Sequence, residues 1–207
     1  MNIEIWITFV MACFVLAISP GAGAVNTMAI TMKHGIRRGA VAIAGLQVGN
    51  ANNIVLVGAG LGALLAQSDV AFSVVKWVGV AYLIYLGIQK CRDTGDGSFS
   101  PEKNEPIGAR KLFFQSVIVN VTNPKGVVFL VALLPQFISP NGSYLHQMLI
   151  LGGTLLVIDT IVMVGYALLA TKVAHLVQNA HHMKVMNRLF GGLFIGAGSL
   201  LAATSRS

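Results

Sequence analysis

Six long apolar runs set the pattern of this chain, at roughly residues 5–32, 39–66, 71–90, 112–134, 147–171 and 188–204. A hydrocarbon core about 30 Å thick is crossed by about 20 helical residues, so each run predicts one transmembrane helix. The first two runs exceed a single straight crossing and are expected to tilt, break or extend past the bilayer, while the last is slightly short. The pattern predicts an all-α membrane protein with six crossings in a single transmembrane domain over residues 1–207.

One polar segment of any length interrupts the pattern, Arg92 to Arg110 (RDTGDGSFSPEKNEPIGAR). Its Gly, Pro, Ser and charge read as a loop, placed at 92–109. It separates two halves, 1–91 and 110–207, with three predicted spans each. Because three is odd, the second half must enter the membrane from the opposite face, which is the geometry of an inverted repeat and typical of transporters.

Charge gives the orientation. Lys33, Arg37 and Arg38 lie between the first two runs, Lys90, Arg92, Lys103, Arg110 and Lys111 between the third and fourth, and Lys172, Lys184 and Arg188 between the fifth and sixth. These connections hold eleven of the fourteen cations, and the alternate ones, 67–69 and 135–146, hold none. Cations accumulate in cytoplasmic loops, so both termini are expected outside the cytoplasm. No cation precedes Lys33, which does not suit a cleaved signal peptide, and the N-terminus is expected to be retained.

Composition agrees and excludes other classes. Of the 207 residues 55% are hydrophobic and 10% charged, against about 25% charged in an ordinary soluble domain, and the mean hydropathy is +0.75. The net charge of +7 suits cytoplasmic loops against anionic headgroups rather than nucleic acid, given where the cations fall. Cys13 and Cys91 belong to no ligand spacing, so neither a disulfide framework nor a zinc site is expected. His181 and His182, with His175 nearby, lack further metal ligands. No cofactor motif, HExxH, GxSxG or catalytic carboxylate pair is present, which argues against an intramembrane enzyme.

The candidate chemistry lies where the apolar pattern fails. Ser19-Pro20-Gly21-Ala22-Gly23 sits near the middle of the first run, and Asn120-Val121-Thr122-Asn123-Pro124-Lys125-Gly126 at the corresponding place in the fourth. Proline removes a backbone donor and glycine tolerates non-helical angles, so helices 1 and 4 are expected to be interrupted at the midplane. Matched interruptions point to a central binding site. A half-helix starting after each proline would turn N–H groups and a positive dipole end toward a cavity, where an amino-acid carboxylate is a natural guest. A proline kink without a ligand is the alternative.

Asp159 lies about twelve residues from either end of the fifth run, where a carboxylate costs about 2.5–3.5 kcal/mol on insertion scales, so it must face the bundle interior. Lys125 stands about 21 Å beyond Lys111 along the fourth helix, at the usual rise per residue. The two are read as a structural ion pair, or as a site in which Asp159 exchanges a proton or meets a substrate ammonium while Lys125 meets a carboxylate. Gln47 is assigned to the cavity, whereas Asn50, Asn52 and Asn53 read first as interhelical hydrogen bonding. Gly58-Ala59-Gly60-Leu61-Gly62 and the glycines of 191–198 read as packing faces, internal or in a homo-oligomer. Lys76 is placed to snorkel, and Trp6, Trp77, Tyr82 and Tyr85 suit interfacial belts.

Ser19-Pro20-Gly21, Ala24-Val25-Asn26-Thr27-Met28, His34-Gly35, Ala44-Gly45-Leu46-Gln47-Val48-Gly49, Val119 to Lys125, Leu134-Pro135-Gln136-Phe137, and Asp159 followed by Gly165-Tyr166 resemble the lysine exporter superfamily, in its homoserine and threonine resistance branch. The likeness runs from about Trp6 to Leu201 and is weakest around 93–108. It implies a six-span bacterial inner-membrane exporter with periplasmic termini, expelling small neutral amino acids or derivatives such as homoserine, its lactone or threonine. It also implies drive by the proton gradient, with no cofactor. Ser19, Pro20, Gly21, Gly23, Asn26, Gln47, Asn120, Asn123, Pro124 and Lys125 are then the candidate substrate site and Asp159 the coupling carboxylate. Export of leucine, lysine or arginine, or a non-saturable channel, are the alternatives. A dibasic cargo would favour further acids in the cavity, and Asp159 is the sole deep one.

Overall fold

The computed structural model describes residues 2–67, 69–92, 107–139 and 142–170, with scattered positions between 184 and 202. Most of the sixth run therefore lies outside the described residues, as do most of the polar loop and His175, His181 and His182, and nothing of the Lys76 and Tyr82 side chains is described. Among the described residues every regular element is helical.

The first run is two helices, α1 (Ile3–Ile18) and α2 (Ala22–His34), meeting at 52°. Asn2 caps α1 by accepting from the Glu4 N–H at 3.1 Å, and Glu4 then sits at the positive end of the helix. Pro20 stops α1 because the residue before proline is driven out of the helical region, and Ser19 takes ψ 118°. Gly35 ends α2 at φ 81°, a left-handed angle that glycine adopts without penalty. The second and third runs become α3 (Ile36–Gln67) and α4 (Asp69–Arg92). The fourth is again broken, into α5 (Ala109–Val121) and α6 (Pro124–Leu133), which runs on into a 3-10 turn at Leu134–Phe137. The bend between α5 and the segment Lys125–Phe137 is also 52°. The fifth run is α7 (Tyr144–Leu168).

Among the described residues two helices are long and apolar enough to cross a membrane alone, Ile36–Gly60 and Tyr144–Leu168, and four spans result if each bent pair is one crossing. The two faces of α7 show which solvent surrounds it. Leu145, Leu149, Val157, Ile161 and Leu168 form an exposed stripe, with Leu145 and Leu168 each 68% exposed, while Gln147, Leu151, Leu155, Met163 and Ala167 are buried. A water-facing stripe would be polar; an outer face more apolar than the inner one belongs in lipid.

The interior is held by close helix approaches. α3 packs most extensively on α5 and also meets α2 and α7, while α4 packs on α6 and α1 on α7. Gly45 and Gly49 permit the α3–α5 contact: a Cβ on Gly45 would overlap the Phe113 carbonyl oxygen, and one on Gly49 would stand 2.8 Å from the Asn120 Cβ and 2.9 Å from the Val117 oxygen. Small residues at one-turn spacing serve this purpose in membranes. Gly58 likewise faces Met148, and its carbonyl accepts from the Tyr144 hydroxyl. Gly87 and Gly191 abut so closely that a Cβ on either would lie within 2.7 Å of the other's carbonyl oxygen. Trp6 is drawn inward, donating to the Thr154 hydroxyl at 3.1 Å.

These contacts give a first prediction. Gly45→Ala should force α3 and α5 apart at a cost of about 1–3 kcal/mol. Gly60→Ala, on the same helix with nothing within 4 Å of the added carbon, should be neutral. Melting of the two purified variants in detergent checks the contrast, and equal midpoints would refute the packing role.

Candidate functional site

A cavity opens where the two broken pairs meet α3 and α7, its wall including Ser19, Gly21 and Gly23 from the first break, Asn120, Asn123, Lys125 and Gly126 from the second, and Asn50 and Asp159. Distant segments of the chain, singled out by the helix breaks and the lone deep acid, thus share one space.

The first break is set by its missing donors. In a continuous helix the Leu16 carbonyl would accept from the N–H of residue 20, which is proline and has none. Lys125 fills the vacancy: its ammonium donates to the Leu16 oxygen at 2.7 Å and to the Ser19 oxygen at 2.6 Å. The Tyr166 hydroxyl of α7 donates to the Ile18 oxygen at 2.6 Å. Three carbonyls at the negative end of α1 are thereby satisfied by side chains of two other helices, and the lysine charge lies where the helix dipole favours it.

The second break closes on itself. Asn123 accepts at its side chain from the Lys125 N–H at 3.2 Å, and Pro124 stands at the first turn of α6, where no amide proton is needed. The first break has no such cap. Gly21 precedes α2 without a side-chain bond to it, and the Ser19 hydroxyl, on a residue only 2% exposed, has no hydrogen-bond partner among the described residues.

Asp159 is held from α3. Gln47 Nε2 donates to its Oδ2 at 2.7 Å and Asn50 Nδ2 donates to the same oxygen at 3.0 Å. The three-residue spacing of Gln47 and Asn50 puts both amides on one helix face. Neutral amides hold the carboxylate in position without cancelling its charge, and the cation that acts on that charge is the Lys125 ammonium in the same cavity wall.

Of the other candidates, Asn120 is buried and works mainly on the scaffold, donating to the Leu46 carbonyl at 2.6 Å while its own carbonyl accepts from Asn53 at 3.2 Å. Asn26 donates to the Ser116 hydroxyl at 2.9 Å, joining α2 to α5, and it is not part of the cavity wall. Gln47 is likewise outside that wall and reaches the site through Asp159. Asn53 is the interhelical bond expected of the asparagines; Asn50 is one as well, but on Asp159. Two participants carried no sequence signal as site residues. Cys13 lines the cavity from α1, and Tyr166 follows Asp159 by seven residues, which places both on the same face of α7.

A family model described as LysE type translocator matches residues 14–205. The chain is 47% identical over 203 residues to a homoserine/homoserine lactone efflux protein of Salmonella typhi, covering 98% of each. It is 45% identical over 202 residues to an uncharacterized membrane protein of Vibrio cholerae, again covering 98% of each. A leucine efflux protein of Salmonella choleraesuis is 29% identical over 201 residues, covering 95% of this chain and 93% of the relative. No solved structure matches.

Proposed function

The chain belongs to the LysE type translocator family, a family of membrane transporters with amino-acid efflux proteins among its relatives, and we propose that it exports small neutral α-amino compounds, homoserine and homoserine lactone foremost, in exchange for protons. The observation that carries this reading is Asp159, the sole acid within an apolar run, set in a cavity at two helix breaks and held by the neutral amides of Gln47 and Asn50. A carboxylate so placed binds either a proton or a substrate ammonium. Competition between the two for one group couples their opposite movements, because each orientation of the cavity releases one and takes the other.

The same reading makes the chain one six-span domain built as an inverted repeat of halves 1–91 and 110–207, in a bacterial inner membrane with both termini periplasmic. The equal 52° bends of the first and fourth runs and the distribution of cations support it. The relatives named for homoserine and its lactone share far more identity than those named for leucine, which favours the former cargo.

Uptake of labelled homoserine into inside-out vesicles acidified within tests the proposal. Uptake is expected to saturate, to rise with the imposed gradient, and to be blocked by homoserine lactone and threonine but not by lysine. Non-saturable flux would indicate a channel, and preferential block by leucine would move the cargo to the other named branch.

A further inference from the structure

The two breaks differ in what they leave open. The N-terminus of α6 is capped by Asn123 and the Lys125 ammonium is engaged by carbonyls of α1. The N-terminus of α2, a helix of 13 residues, carries no side-chain cap. Its first N–H groups have no partner within the helix, and Ser19, which precedes Pro20 and lines the same cavity, has a buried hydroxyl with no partner among the described residues. Buried polar groups are ordinarily satisfied, so an uncapped helix start and an orphan hydroxyl side by side mark where a ligand oxygen belongs. Gly21 and Gly23 line the approach, and a Cβ on Gly23 would fill space up to Leu46 at 3.6 Å.

We propose that the Ser19 hydroxyl and the α2 N-terminus form a carbonyl-oxygen subsite built from neutral donors, opposite in chemistry to the Asp159 carboxylate that takes the ammonium. It follows that the cavity selects an α-amino group next to a carbonyl oxygen, whether that oxygen belongs to a carboxylate, a lactone or an amide. A cationic clamp would demand the free acid; the Lys125 ammonium does stand beside this helix start, 3.6 Å from where a Cβ on Gly21 would lie, but it donates to the Leu16 and Ser19 carbonyls of α1. The inference rests on Asp159 and the cavity being the transport site.

The test is equilibrium binding to the purified full chain in lipid nanodiscs, using labelled homoserine with four unlabelled competitors: homoserine, its lactone, its amide, and aminopropanol, which keeps the amine and lacks the carbonyl. Lactone and amide are expected to compete within about tenfold of homoserine, and aminopropanol at least about tenfold more weakly. Ser19→Ala should weaken homoserine and lactone by about 3- to 10-fold, the measure of one neutral hydrogen bond, leave aminopropanol unchanged, and melt like the parent because the hydroxyl has no partner to lose among the described residues. Ser19→Thr should restore binding. Failure of lactone and amide to compete, an unaffected Ser19→Ala variant, an equal loss for aminopropanol, or no binding of any compound would each overturn the subsite. Binding with this pattern but without vesicle uptake would leave the subsite standing and refute the export reading.

Discussion

Asp159→Asn is expected to abolish gradient-driven uptake while leaving the protein folded and inserted. The substitution keeps a carbonyl oxygen in place to accept from Gln47 and Asn50, whose donors reach Oδ2 at 2.7 and 3.0 Å, so the contact between α3 and α7 survives. It removes the negative charge and the oxygen that takes up a proton. A hydrogen bond to a charged group is worth about 1.5–3 kcal/mol, which predicts about 10- to 150-fold weaker binding of an ammonium substrate. Driven flux should fall further, because the remaining carrier has no titratable group with which to exchange. Vesicle uptake with and without the pH gradient, normalised to the amount of protein in the membrane, is the measurement. Undiminished driven uptake would remove Asp159 from the mechanism and with it the coupling proposed here.

The features that carry this prediction were legible because they break the rules of an apolar chain. A carboxylate amid LLVIDTIV, and Pro-Gly and Asn-Pro interruptions at matched places, each cost free energy in hydrocarbon and so point inward. The helical runs were legible for the complementary reason, that length and hydropathy are what a bilayer selects. The role of Lys125 was not. Its acceptors are backbone carbonyls freed by Pro20, 106 and 109 residues away in sequence, and nothing in side-chain chemistry distinguishes a lysine that caps a helix end from one that clamps a substrate. The asparagines of α3 show a second limit. Asn50 and Asn53 are chemically identical, and it is their rotation about the helix, fixed by the approach of α5 at Gly45 and Gly49, that sends the first to Asp159 and the second to the Asn120 carbonyl. The unequal capping of the two breaks was hidden only in part: asparagine can accept from a helix start and glycine has no side chain to do so, but it takes the fold to show that α2 starts after Gly21 and not after Ser19, and α6 after Asn123.

Lys125→Met should therefore act on the fold before it acts on the substrate. Methionine matches the length of the aliphatic stem but has no donor, leaving the Leu16 and Ser19 carbonyls without the bonds they now receive. A buried acceptor deprived of its donor costs about 1–3 kcal/mol, so two should cost about twice as much as the single Ile18 carbonyl exposed by Tyr166→Phe. The loss should be greater still because the lysine charge no longer offsets the negative end of α1. Melting in detergent is expected to rank the parent above Tyr166→Phe and Tyr166→Phe above Lys125→Met, with Lys125→Arg between the last two, since its planar fork retains donors but not their placement. The double variant should lose less than the sum of the singles, because once α1 is released at one carbonyl the others are no longer held at depth. Had Lys125 been a clamp for a carboxylate, Lys125→Met would melt like the parent, bind the lactone normally and lose only the free acid. That pattern would return the lysine to the substrate and leave the end of α1 to be held by Tyr166 alone.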